Sequence, residues 1–396
     1  MVELLAPVSD RIMLKAAIDA GADCVYFGLQ KLNMRATGKN FTMEELPEVV
    51  KQCHDSNVKV FLTVNTIVYD NELEDVKKII AGAKSAGVDY IICWDIAVIQ
   101  ECKKQKMPFH ISTQASIANS ESAKFYKKLG AERIVLAREC TLEQIKNIIK
   151  ETGIEVETFI HGAMCVSVSG RCFTSQHLFG RSANRGDCLQ PCRREYKIID
   201  EENRELILGK NYVMSAKDLC AMPFLDKLLD SGITCFKIEG RVRSPEYVKT
   251  VVSAYREAID AHKQGKFDKN LIDKLVEKLK TVYNRDFSNG FYFGMPTADD
   301  FTDSYGSKAT TKKIYIGYVK NFYKQKGVVE IKAEADKIQI GDTLMIQGPT
   351  TGVQEQKIES MEVDHKSVKE AQKQDVGIKI NFTARPNDKV FRIESK

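Results

Sequence analysis

The 396-residue sequence contains no run approaching the ~20 apolar residues of a membrane-spanning helix, so no membrane partner is expected. Its start, MVELLAPVSD, lacks the basic segment and apolar core of a secretory signal. It has neither H-E-x-x-H nor G-x-S-x-G, which removes the sequence basis for a helix-borne zinc protease or a nucleophile-elbow hydrolase. No G-x-G-x-x-G turn follows an early strand, which argues against a dinucleotide-binding open sheet. Low-complexity tracts are absent. Net charge is small as well: 59 basic against 54 acidic residues leave +5. That balance permits an RNA or phosphate ligand without demanding one. The expected compartment is the cytoplasm, where thiols stay reduced and grouped cysteines point to metal or redox chemistry.

Cysteine is what the chain has in an unusual arrangement. Of its 11 cysteines, four fall in HGAMCVSVSGRCFTSQHLFGRSANRGDCLQPCRREY: Cys165, Cys172, Cys188 and Cys192, spaced C-x6-C-x15-C-x3-C. The segment is rich in Gly and Arg and has too little apolar periodicity for a core element. Four thiols are the inventory for an iron–sulfur cluster or for all-thiolate zinc. Zinc sites favour tight C-x2-C pairs, which this spacing lacks. The remaining seven cysteines, Cys24, Cys93 and Cys235 among them, lie in strand or helix patterns and read as core.

Around that segment the chain alternates. Val2–Ala6, Cys24–Leu29, Val58–Asn65, Tyr90–Trp94, Phe109–Thr113, Arg133–Ala137, Val156–Ile160 and Cys235–Ile238 read as strands. Amphipathic helices follow them, for example Glu72–Ala86, Ser120–Leu129, Leu142–Glu151, Ser215–Leu229 and Pro245–His262. Thr42, Asn119 and Thr141 are candidate N-caps; Gly87, Gly130 and Gly153 are candidate stops. Eight such units predict a (β/α)8 TIM-type barrel over 1–265, with a Cys-rich insertion at 161–212. A helical connector over 266–308 then leads to a small all-β barrel over 309–396.

Loops that follow barrel strands gather at the C-terminal mouth, where the insertion would also sit. Polar residues closing their strands converge there: Asn65, Asp95, Gln114, Arg138, Glu139, His161, Lys237, Glu239 and Arg241. Lys237 and Glu239 alternate along KIEGR and can form an acid–base pair or a barrel-lining salt bridge. Arg138 and Arg241, with Arg35 from LNMRA, suit a carboxylate ligand. Arg171, Arg181, Arg185, Arg193 and Arg194 surround the cysteines; as a group they favour an anion, and singly they suit surface salt bridges. His161 stands four residues before Cys165. The pair can be read as base and nucleophile, or His161 as a hydrogen-bonding group beside a bound centre.

The segment ETFIHGAMCVSVSGRCFTS closely resembles the signature of the collagenase-like peptidase family U32. LLAPVSDRIMLKAAIDAGADCVYFGL, LTVNT, ISTQAS, KIEGRVRSPEYV and the terminal β module extend the resemblance over nearly the whole chain. Thr174 departs from the aliphatic residue usual there, which touches packing beside Cys172. Better understood relatives look like oxygen-independent hydroxylases, and GDCLQPCRREY resembles their nucleic-acid-modifying branch. The resemblance implies a 4Fe-4S cluster on Cys165, Cys172, Cys188 and Cys192. It also implies hydroxylation of an RNA base, foremost the wobble uridine of tRNA to 5-hydroxyuridine, with prephenate as hydroxyl donor. The β module resembles the second domain of elongation factors and, with Arg185 and Arg193, would hold RNA.

In this reading Arg138, His161, Lys237, Glu239 and Arg241 orient the donor and move protons. Arg35, Asn65 and Gln114 contact the donor or base. The alternatives are a U32-type peptidase, an rRNA cytidine hydroxylase, or a zinc-stabilised RNA-binding module. A second family member is a candidate partner.

Overall fold

The computed structural model describes residues 2–36, 38–197, 199–205 and 214–396. The strands are β1 (Glu3–Pro7), β2 (Cys24–Gly28), β3 (Lys59–Val64), β4 (Tyr90–Cys93), β5 (Phe109–Ile111), β6 (Arg133–Val135) and β7 (Glu155–Gly162), then the short β8 (Asp218–Cys220), β9 (Cys235–Ile238) and β10 (Phe287–Ser288). Strands β1 to β7 pair in parallel, and β9 pairs with both β1 and β7. Among the described residues, eight parallel strands therefore close a TIM-type barrel. The β-branched runs, buried on both faces, are what a sheet enclosed by helices requires.

Local chemistry sets the helix ends. The side chain of Asn119 accepts from the Ser122 N–H, and Thr141 forms a reciprocal capping box with Gln144. Thr42 closes a turn with Glu45 ahead of the helix Leu46–His54 instead of capping it directly. Gly87, Gly130 and Gly153 end their helices in the left-handed conformation.

Two expectations are corrected. The helix expected over Ser215–Leu229 is mostly absent: Asp218–Cys220 is β8, and only Leu225–Leu229 is α-helical. Strand β8 forms because it lies antiparallel to the end of β7 and parallel to β10. The connector is α-helical only over Lys269–Lys280, with a single 3-10 turn at Ala298–Asp300. Its second half returns to the barrel, where the Tyr292 hydroxyl donates to the Phe159 carbonyl at 2.7 Å and Arg285 pairs with Asp218 at 2.5 Å. The end of the expected insertion, 206–212, lies outside the described residues.

The chain closes with an antiparallel all-β region on its own core of Ile316, Val319, Val329, Ile331, Ile346, Val376 and Val390. The side chain of Gln356 bridges Gly352–Lys357 to the Lys379 carbonyl and the Asn381 N–H. This region docks on the barrel through Met345, Val353 and Phe391 against Ile12 and Ala16. Polar contacts frame the seam: Lys249 donates to the Val353 carbonyl at 2.6 Å, and Lys313 pairs with Glu246 at 2.9 Å.

Candidate active site

At the C-terminal mouth lies a cavity of about 160 Å³. Its wall includes all four grouped cysteines, which the insertion folds back over the barrel. Arg35, Asn65, Gln114, Arg138, Arg193, Lys237, Glu239 and Arg241 also line it. Cys165 and Cys188 are exposed, Cys172 and Cys192 half-buried. No three of these sulfurs lie within 4.8 Å of one another. A single tetrahedral zinc with Zn–S of about 2.3 Å needs every sulfur pair near about 3.8 Å.

The thiols differ in environment. Burial acts upward on Cys172, but hydrogen bonds from Ser167 and Thr174 prevail and make it more acidic than usual. The Thr174 hydroxyl is 3.1 Å from the Cys172 sulfur, so this unusual residue does more than pack. Burial raises the Cys192 thiol against the pull of Arg193, and nearby Cys165 and Cys188 push the same way.

Glu239 is the one acid among the described residues lining the cavity. Burial alone would raise its pKa; the charges of Arg35, Arg138, Arg241 and Lys237 overcome this and lower it to about 2. Arg35 donates to it at 3.1 Å, and Arg138 stands 3.6 Å away. Three guanidinium groups around one carboxylate leave that cluster two positive charges in excess. Arg138 and Arg241 each keep a buried Nε without a hydrogen-bond partner. Such groups are costly in a closed core and suit an incoming anion.

The acid–base pairing of Lys237 with Glu239 is corrected. Lys237 donates to Glu157 at 2.7 Å, with both side chains almost fully buried, as a barrel-lining salt bridge. His161 is corrected too. A register irregularity between Phe159 and His161 opposite β9 turns the imidazole out of the barrel. It lies buried against Tyr247, Tyr255 and Phe287, with Nδ1 3.3 Å from the Tyr255 hydroxyl. Burial lowers its pKa to about 4, so it is neutral at pH 7 and does not line the cavity.

Several expected ligand contacts are structural ties. Arg185 grips Glu72 with both terminal nitrogens and also meets the Ile67 carbonyl. Arg193 donates to the Ala216 carbonyl at 2.8 Å and to that of Met164. Arg181 pairs with Asp187. Arg185 and Arg193 thus tie the insertion to its surroundings, while Arg181 braces the insertion internally. Gly186 completes the seam: at φ +85°, a Cβ there would lie 2.2 Å from the Asn33 carbonyl oxygen.

Asp95 caps the helix Ile96–Gln105 through the Ala97 N–H, and Glu139 accepts from the Ser169 N–H. Neither lines the cavity. Asn65 and Gln114 do, and are joined at 3.3 Å. The inward-facing Tyr26, Thr63 and Phe159 were missed from sequence, as was Arg285 of the connector. The barrel parity of their strands could have signalled the first three.

The model of peptidase family U32 matches residues 10–302. The chain belongs to peptidase family U32. A protein of Methanocaldococcus jannaschii named as an uncharacterized protease is 45% identical, covering 100% of this chain and 98% of its own. A Porphyromonas gingivalis protein named collagenase is 41% identical over the same shares, 100% and 98%. The tRNA hydroxylation protein P1 of Bacillus subtilis is 34% identical, over 88% of this chain and 83% of its own. The family members' names thus divide between proteolysis and RNA modification.

Proposed function

We propose that this protein hydroxylates a base of RNA, the wobble uridine of tRNA foremost, at the cavity in the barrel mouth. The observation that carries the reading is the convergence of four thiols and an arginine cluster on that one cavity. Cys165, Cys172, Cys188 and Cys192 would hold a 4Fe-4S cluster; four thiols sharing one cavity wall supply the ligand set it needs. When bound, such a cluster would supply one-electron chemistry at the cavity.

The protein's own residues do the rest. Arg138 and Arg241, each with an unpartnered Nε, take the carboxylates of an anionic donor such as prephenate, while Glu239 offsets part of the guanidinium groups' mutual repulsion. Asn65, engaged by the Met34 N–H, Ser112 and Gln114, fixes the amide of Gln114, whose Nε2 is left to donate to the base or the donor. Phe159 and Tyr26 exclude water from the floor of the site. The likeness to the tRNA hydroxylation protein supports this substrate.

Peptidase action is the second reading, favoured by the names of other relatives. It needs a base beside a free thiolate, and no histidine is among the described residues lining the cavity. The test is nucleoside analysis by mass spectrometry of tRNA and rRNA from cells with and without the gene. Loss of 5-hydroxyuridine from tRNA, restored by the wild-type gene and not by Cys172→Ala, is expected. Loss of an rRNA hydroxycytidine would move the substrate, and an unchanged nucleoside profile would refute the reading.

A further inference from the structure

Beside the main cavity is a second one, of about 80 Å³, lined by Met34, Ile67, Trp94, Gln114, Arg171 and Asn184. Met34 and Gln114 belong to both, so the two share a wall. Trp94, the only tryptophan in the chain, is fixed by its indole N–H donating to the Asn65 carbonyl at 3.0 Å. The Arg171 guanidinium lies 5.0 Å from the centre of the ring and is held by the Gln114 carbonyl. Amide groups border the slot. Gln114 Oε1 is engaged by Asn65 and Ser112, leaving Nε2 to donate; Asn184 accepts from the Cys172 N–H at 3.1 Å. A guanidinium stacked on an indole, an apolar floor and amide edges match a nucleobase, which stacks on the outer face of such a pair and hydrogen-bonds at its rim.

We propose that this slot holds the base next to the one being modified, so that the RNA enters as an unstacked single strand. The inference rests on the RNA reading above and adds where the neighbouring nucleotide goes. A duplex cannot place adjacent bases in two pockets separated by the Met34–Gln114 wall without unstacking them.

The test uses the full-length protein, purified anaerobically, with short single-stranded RNAs carrying 5-iodouridine either at the central uridine or at a flanking position. Irradiation followed by peptide mass spectrometry should place the flanking crosslink on Trp94 and the central one elsewhere. Anisotropy of labelled RNA should show Arg171→Ala and Trp94→Leu weakening single-strand binding about tenfold, the loss of one stacked base. Trp94→Phe should keep most of the affinity, which separates stacking from misfolding. RNA that binds without a Trp94 crosslink, with Arg171→Ala unchanged, overturns the slot and leaves the RNA reading standing. Absence of RNA binding by the wild type overturns both.

Discussion

Replacing Glu239 by glutamine removes the one acid among the cavity-lining residues and leaves Arg35, Arg138 and Arg241 without their shared counter-charge. The size of the effect follows from the carboxyl group. Its pKa falls from the ordinary 4.5 to about 2 in the fold. At about 1.4 kcal/mol per unit, this is about 3 kcal/mol of stability. A depressed carboxylate stabilises fully above its unfolded pKa, and the contribution drains away as pH falls from 4.5 towards 2. Urea unfolding followed by Trp94 emission reports on the barrel, because the chain has no other tryptophan. At pH 7 the variant should be less stable by about 3 kcal/mol, and the gap should narrow as pH drops below 4.5. Phosphate or a dicarboxylate should restore the variant more than it stabilises the wild type, since an anion can take the carboxylate's place. A variant as stable as wild type at pH 7, or a gap independent of pH, would refute the arginine-cage account.

Further outcomes follow from other contacts. His161→Phe should leave RNA hydroxylation intact, and it should remove the part of the stability loss between pH 6.5 and 4 that comes from protonating a buried imidazole held at about 4. Pairing modified-nucleoside analysis with urea midpoints checks both; loss of activity in a folded variant would revive the His161 base. Lys237→Met should cost about 3 kcal/mol by leaving buried Glu157 with only Arg133, at 4.0 Å, as counter-charge, and the double variant with Glu157→Leu should recover part of it in the same midpoints. Gly186→Ala should loosen the insertion from the barrel, seen as faster hydrogen exchange across 172–192 with the barrel strands unchanged.

The barrel was legible in the sequence because its eight parallel strands carry their own apolar runs and several helices their own caps; Asn119 and Thr141 act as their local chemistry dictates. The four cysteines were legible by spacing alone, and so was the mouth cluster of Arg138, Glu239 and Arg241. What local pattern could not carry is pairing at a distance. Strand β8 exists through its neighbours β7 and β10, not its own periodicity, and Arg285 reaches Asp218 across 67 residues. A one-residue irregularity in β7 reversed the side on which His161 lies, since strand parity has a period of two. The ties of Arg185 and Arg193 could not be read in advance because their partners, Glu72 and the carbonyls of Ile67, Met164 and Ala216, are remote in sequence.

The most direct test of the central claim is the iron, zinc and acid-labile sulfide content of protein purified without oxygen, beside the Cys172→Ala variant. The account predicts about four irons and four sulfides per chain in the wild type, lost in the variant. Zinc without sulfide, or neither metal under strict anaerobic handling, would contradict it.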